Sequence, residues 1–531
     1  MKAYSTCNQS ADSQKTIKSS RDIPQNTPRK KDMSYIRKKI HTFLLVVAMT
    51  VAAAATVACS DDDNFSANPR NLLTFSCDTV FMDTVFSKTP SSTKTFWVYN
   101  NSSSGIRCSK IRLEKGNQTG FRINVNGVFL GEKQGYQIID EEIRRGDSLR
   151  VFVELTSPEN GQQTPQEITD MLIFNHESGV EQKVALSAWS WDIKKLRKPV
   201  INRDTVISER LLIDDTLRIE PGATMTLSAG TTLFMNANAC IEVFGKLQSL
   251  GEPGKEVTIR GSRLDRMFDY LPYDGVSGQW RGIVFRNSSF GNILEHTDIH
   301  SACDALVCDS SSTDSEKLFI SSSTIHNNKG YGLYAENCNI SIENSLFSNA
   351  LMDCIALTGG KTSINNCTIA QFYPFTANRG YALLFSNTTE TATYNQSSML
   401  VRNSIITGYS KDEYMEILAD STEADVRIEY SLLRKDTVKA KIDTLRFYGT
   451  IFENTEDTVS SGYKNFKTVD TELLRYDFHL KNVSLAIGKA DKASALPLDR
   501  DALPRDENPD MGCYEAPAEE EKEAEGEDQG K

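Results

Sequence analysis

Apolar and polar residues alternate with a period of two between about residues 68 and 193, the pattern of strands that bury one face. Phe96 and Val98, then Phe121, Ile123 and Val125, then Leu149, Val151, Val153 and Leu155 give the clearest runs. Met171 to Phe174 and Val184, Leu186 and Ala188 continue the series, with turn material such as Asn100 to Gly105 and Glu159-Asn160-Gly161 between runs. Short strands divided by such turns predict an immunoglobulin-like β-sandwich over 68–193. It has no immunoglobulin-type Cys, Trp, Cys spacing, and the role it fits is a stalk.

From about residue 205 the alternation gives way to a repeat. Leu294 to Ile299, Ile320 to Ile325, Ile342 to Phe347, Ile364 to Ile369, Val401 to Ile406 and Ile428 to Leu433 align, with successive starts 26, 22, 22, 37 and 27 residues apart. A unit this short cannot bury an apolar face alone, but stacked units place their Ile, Leu and Val columns inside a solenoid. Ser323, Ser345, Cys367, Ser404 and Ser431 form a second column. Asn344, Asn366 and Asn403 form a third, expected to be a ladder of amides bonded to their neighbours about 4.8 Å above.

Leu217-Arg218-Ile219, Pro221-Gly222, Gly230 to Leu233, Ile241 to Leu247 and Trp280 to Phe285 extend these coils toward the N-terminus. Together they resemble the right-handed parallel β-helix of the pectin-lyase-like group over roughly 205–515. The resemblance implies an all-β chain in which the sandwich is followed by a β-helix solenoid, placed at 194–465. Asp477 to Leu480 and Pro509 to Glu515 resemble the closing motif of secreted β-helix proteins, so 466–515 is expected to complete and cap the solenoid. The Glu-rich segment 516–531 reads as an unfolded acidic tail.

Basic Arg37, Lys38 and Lys39, an apolar stretch from Phe43 through Ala52 to Ala55, and a small-residue end at Cys59 form a secretory signal. Its apolar stretch, about fifteen residues, falls short of the roughly twenty that span a bilayer. Ala58-Cys59 resembles a bacterial lipoprotein lipobox, and Asp61-Asp62-Asp63 resembles the acidic signal that sends such proteins to the outer face of the outer membrane. The resemblance implies removal of 33–58, acylation of Cys59, a linker over 59–67 and a surface-exposed, lipid-anchored protein. Residues 1–32 are expected to be an over-extended start.

The chain has 59 basic and 71 acidic residues, a formal charge of −12. That balance repels a phosphate backbone and argues against nucleic acid as a partner. Of 11 cysteines, nine remain after Cys7 and Cys59, and no C-x-x-C pair is among them. They read as buried small apolar residues, with disulfide pairing left open.

Candidate chemistry gathers in a further alignment. Asp304, Tyr331, Asp353 and Tyr381 each stand two residues before an inward apolar position, and Lys329 and Arg379 stand two further back. Stacking would bring them to one corner, where tyrosine faces suit pyranose rings, Asp353 accepts hydroxyls and the cations suit a uronate or sulfate. The insertion Phe372-Tyr373-Pro374-Phe375 would add an aromatic wall. The expected ligand set is Lys329, Tyr331, Asp353, Phe372, Tyr373, Phe375, Arg379 and Tyr381, with a polysaccharide as ligand and no catalysis. The bland alternative is that the tyrosines only cover the coil edge.

An enzyme is the rival. Asp304 and Asp353, two coils and about 9.6 Å apart, stand near the limit for an inverting hydrolase. Lys329 and Arg379 are the paired candidates for a lyase. A structural or adhesive surface protein is a third possibility. No cofactor is expected. His296 and His300 are four apart, but a strand and its turn separate them, so no metal ligand set is read. Asp499, Asp501, Asp506 and Asp510 could offer oxygens to Ca²⁺, yet lack the glycine and terminal Glu of an EF-hand loop. The aromatic loop carrying Phe268, Tyr270, Tyr273 and Trp280 is expected to pack on the flank of the solenoid.

Overall fold

The computed structural model describes residues 64–419, 424–436, 443–457 and 459–517. The signal segment, the acylation site Cys59 and the acidic tail beyond 517 lie outside the described residues. Among the described residues, no helix is long and apolar enough to cross a membrane.

Period-two alternation builds two facing five-stranded sheets. One holds Thr74–Phe75, Lys94–Tyr99, Ser148–Leu155, Phe121–Val125 and Val128–Phe129 in spatial order. The other holds Thr79–Phe86, Glu181–Trp191, Gln166–His176, Ile106–Leu113 and Gln137–Ile143. Phe96, Val98, Val151 and Val153 from the first meet Ile111, Leu172, Phe174 and Leu186 from the second in one core. Neighbouring strands are antiparallel, apart from Thr79–Phe86, which runs parallel to Glu181–Trp191.

The repeat forms a parallel β-helix of three sheets with 11, 9 and 9 strands. A representative coil gives Leu333–Glu336 to the second sheet, Asn339–Glu343 to the third and Leu346–Ala350 to the first. Leu306, Leu333, Ile355 and Leu383 stack in register and point into a continuous apolar core. The corner from third to first sheet is turned by one left-handed residue per coil. His296, Ser322, Asn344, Asn366, Asn403 and Tyr430 have φ between 41 and 50°, a region that asparagine tolerates better than most residues.

The residue after that turn is buried, and its hydroxyl runs a ladder along the stack. Ser345 Oγ accepts the amide of Ser323 (3.1 Å) and donates to the carbonyl of Glu343 (2.6 Å). Ser404 and Ser431 repeat the pattern, the amide of Cys367 donating to Ser404 (3.0 Å) and that of Ser404 to Ser431 (3.1 Å). The asparagine column behaves differently from the expected ladder. Asn344 Nδ2 donates to the carbonyl of Leu498 (2.8 Å), Asn366 Oδ1 accepts from Leu496 (3.0 Å) and Asn403 Oδ1 accepts from Asp491 (2.7 Å). These amides reach sideways, because a polar segment of the C-terminus lies along the corner and offers them backbone partners.

That segment also corrects the expected cap. Phe466, Phe478, Leu480, Met511 and Cys513 pack against Leu346, Ala370, Ile405 and Leu432 on the outer face of the first sheet. Residues 466–515 therefore clasp the flank of the solenoid. At the end of the coils Phe447 and Phe452 pack, partly buried, against the helix core beside Tyr414. At the other end Phe86 and Trp191 of the sandwich, edge to face with each other at 5.0 Å, meet Leu212 and Phe234 of the first coils, the Phe234 ring edge-on to Phe86 at 4.9 Å. Ser92 Oγ to Asp265 (2.8 Å) and the Arg266 amide to Asp83 (3.1 Å) flank this joint.

Candidate functional site

The aligned corner residues lie in the turns that lead from the first sheet into strands Leu306–Cys308, Leu333–Glu336, Ile355–Thr358 and Leu383–Ser386 of the second. Both aspartates are occupied there. Asp304 Oδ1 accepts the amide of Tyr331 in the next coil (3.0 Å), and Asp353 Oδ1 accepts that of Tyr381 (2.7 Å). Gly330 and Gly380 precede the tyrosines because a Cβ at either position would collide with the carboxylate. The repeated Lys-Gly-Tyr and Arg-Gly-Tyr are therefore the sequence mark of a carboxylate-capped turn. Burial raises both carboxyls, Asp353 to about 6.

A third carboxylate occupies the equivalent turn of the following coil. Glu413 is fully buried and accepts the amides of Ser410 (2.6 Å) and Ala382 (3.2 Å). Burial pushes it up to about 8. Extending the Asp304-Ala305-Leu306 alignment to Asp412-Glu413-Tyr414 would have found it in the sequence, since Leu383 pairs with Tyr414.

The remaining expected contacts divide into walls and faces. Phe372 is fully buried, edge-on to Tyr409 (4.9 Å) and stacked near Phe478 (6.2 Å). Tyr373 is buried too, its hydroxyl bonded to Ser277 (2.9 Å) in the long loop before Trp280. Neither offers a face to a ligand, because the clasp and the loop cover both; they anchor the insertion. Phe375 is 49% exposed and packs edge-on to Tyr373. Tyr331 is half-buried against Tyr334 (5.3 Å), Tyr381 is half-buried, and Lys329 is exposed with its stem along Gly278. Arg379 donates to the carbonyls of Thr376 (3.1 Å) and Tyr373 (3.4 Å), and its guanidinium lies 4.8 Å from the ring centre of Tyr409.

Tyr409 opens onto a cleft that the sequence did not single out. It encloses about 290 Å³ between Tyr409, Arg434, Asp457, Ser461, Tyr463 and Lys464, at the lower edge of the roughly 300–1,000 Å³ of small-ligand sites. The Tyr409 and Tyr463 rings are 6.2 Å apart at 52°, and Lys464 Nζ lies 4.7 Å over Tyr463. Arg434 is fixed by Glu453 (3.0 Å), Ser461 (2.7 Å) and the carbonyl of Ser410 (2.6 Å). The cleft is polar, aromatic and cationic, a surface that can stack a sugar ring and bond its hydroxyls or an acidic substituent.

The aspartates considered for Ca²⁺ are engaged as turn acceptors and ion pairs. Asp499 accepts the amides of Asp501, Leu503 and Glu515, Asp510 those of Gly488 and Ala516, and Asp506 that of Asn508. Asp501 pairs with His479 and Arg500. His296 turns a corner while His300 lies on the first sheet. No disulfide joins any of the nine described cysteines, and seven of them are buried.

A family model described as "Right handed beta helix region" matches residues 304–439, which fixes the hand of the solenoid. No curated protein matches the chain. Among solved structures, the catalytic unit of a thermostable GH87 alpha-1,3-glucanase from Streptomyces thermodiastaticus overlaps 64% of this chain and 79% of its own, at 10% identity and a TM-score of 0.21. A family 123 glycoside hydrolase from Clostridium perfringens overlaps 24% of this chain, at 8% identity and a TM-score of 0.16. This chain spans about a quarter (26%) of that enzyme's length. At these scores neither overlap bears on activity. The chain is an all-β protein in which paired antiparallel sheets precede a right-handed β-helix.

Proposed function

We propose that this protein is a lipid-anchored surface protein that binds polysaccharide without cleaving it, with the sandwich as its stalk. One observation carries the reading: the aligned carboxylates at the helix corner are bonded to backbone amides, while the same corner leads into an open aromatic and cationic cleft. A hydrolase needs two carboxyl groups free to address a glycosidic bond. Asp304 and Asp353 instead hold the turns. The contact surface runs from Lys329, Tyr331 and Tyr381 past Phe375 and Arg379 to Tyr409, Tyr463 and Lys464. Surface placement rests on the signal segment and Cys59.

The test uses the full-length protein against immobilised acidic and neutral polysaccharides. Tyr463→Ala is expected to weaken binding of the best ligand about tenfold, as loss of a stacking face would, and Tyr409→Ala to do the same. Binding unchanged in both variants would remove the cleft from the account.

A further inference from the structure

The outer face of the first sheet carries a side-chain cluster that plays no part in the polysaccharide reading. Strands Thr297–His300 and Thr324–Asn328 pair with His300 directly beside His326. Period-two alternation turns Asp298 to the same side as His300. The imidazole centres are 4.7 Å apart. Asp298 Oδ1 lies 2.6 Å from His300 Nδ1 and 3.3 Å from His326 Nε2. The three ligand atoms fall within 4.8 Å of one another, a convergence unique among the described residues.

We propose that Asp298, His300 and His326 bind one divalent transition-metal ion, with Zn²⁺ the best match to two imidazoles and a carboxylate. Bonds of about 2.0–2.1 Å in a tetrahedron set ligand atoms roughly 3.3 Å apart. The Asp298 to His326 separation already has that value, and the Asp298 to His300 pair needs to open by well under an ångström. The support of the ligands is in place as well. His300 Nε2 faces Asp274 Oδ1 at 2.7 Å, and Arg260 holds the same carboxylate at 2.8 Å. A metal-bound histidine commonly gives its second ring N–H to a carboxylate in this way, which fixes the tautomer and the ring.

Adjacent strands of a packed sheet carry all three ligands, so little ordering is needed on binding. His300 is buried, while the side chains of Asp298 and His326 are 30% and 25% exposed, leaving one side for solvent to supply a fourth ligand. Binding replaces the proton shared by Asp298 and His300; the proton leaves to solvent and no electron moves. Arg260 and Arg500 stand near Asp298, and their charges lower the affinity below that of a cysteine-rich zinc site.

The test uses untagged full-length protein with Co²⁺ and Zn²⁺ chlorides as probes. One equivalent of Co²⁺ is expected to give visible ligand-field absorption, abolished by one equivalent of Zn²⁺. His326 meets the cluster by one 3.3 Å polar contact with Asp298 and by its ring beside His300, and glutamine keeps a polar side chain of similar reach, so His326→Gln is expected to keep the circular dichroism and melting of the parent while losing stoichiometric uptake. Asp274→Asn is expected to weaken binding about tenfold. His479→Gln, which alters a histidine paired with Asp477 and Asp501 elsewhere, is expected to leave uptake intact. No stoichiometric uptake by the parent, uptake that survives His326→Gln, or uptake lost equally in His479→Gln would overturn the site.

Discussion

Glu413 is the most heavily buried of the corner carboxylates, and its pH response follows from its position. Its folded pKa is raised to about 8, whereas an unfolded glutamate titrates near about 4.3. Between those values the folded state binds the extra proton, so its stabilising effect is full below about pH 4 and fades as pH rises through about 8. Glu413→Gln is expected to lose one amide contact, about 1–3 kcal/mol, and to show a smaller fall in Tm between pH 5 and 8 than the parent. Calorimetry across that range reads both effects, and an undiminished fall would place the titration elsewhere. The buried serines act on the same scale. Ser345→Ala leaves the amide of Ser323 without its acceptor, for an expected loss of about 1–3 kcal/mol in thermal or denaturant unfolding. Ser345→Cys is expected to lose less, since Cys367 already occupies the next rung.

Strands and coils were the most legible part of this sequence, because each rests on short-range pattern. Alternation at Phe121, Ile123 and Val125 makes one strand, and recurrence every 22 to 37 residues makes one coil; both survive without knowledge of distant partners. The asparagine column was seen, but not what its amides bond. Asn344 meets Leu498 across 154 residues and Asn366 meets Leu496 across 130, and no local periodicity reports such contacts. Phe372 and Tyr373 read as a ligand wall for the same reason: the clasp and loop that bury them are remote in sequence. The clasp itself is held by Arg505, which bonds Glu515 (2.9 Å), the carbonyl of Gly512 (2.8 Å) and Asn344 (3.2 Å). Arg505→Ala strands a buried glutamate and is expected to cost about 3–5 kcal/mol locally. Limited proteolysis should then cut between 481 and 517 well before the coils, whereas resistance equal to the parent would mean the apolar contacts hold the clasp alone.

For the whole molecule, the joint formed by Phe86, Trp191, Leu212 and Phe234 seats the sandwich on the first coils, and the clasp leaves the corner between first and second sheets as the decorated edge. Aromatic and cationic groups collect along that edge, from Lys329 to Lys464, while its aligned carboxylates serve the backbone. The proposed function, binding without cutting, rests on this arrangement. The most direct test incubates the full-length protein with a panel of acidic and neutral polysaccharides and follows binding, reducing ends and ultraviolet absorbance in the same samples. The account predicts binding with neither new reducing ends nor absorbance. New reducing ends would make it a hydrolase, rising absorbance lost in Lys329→Ala or Arg379→Ala would make it a lyase, and either result would contradict the account.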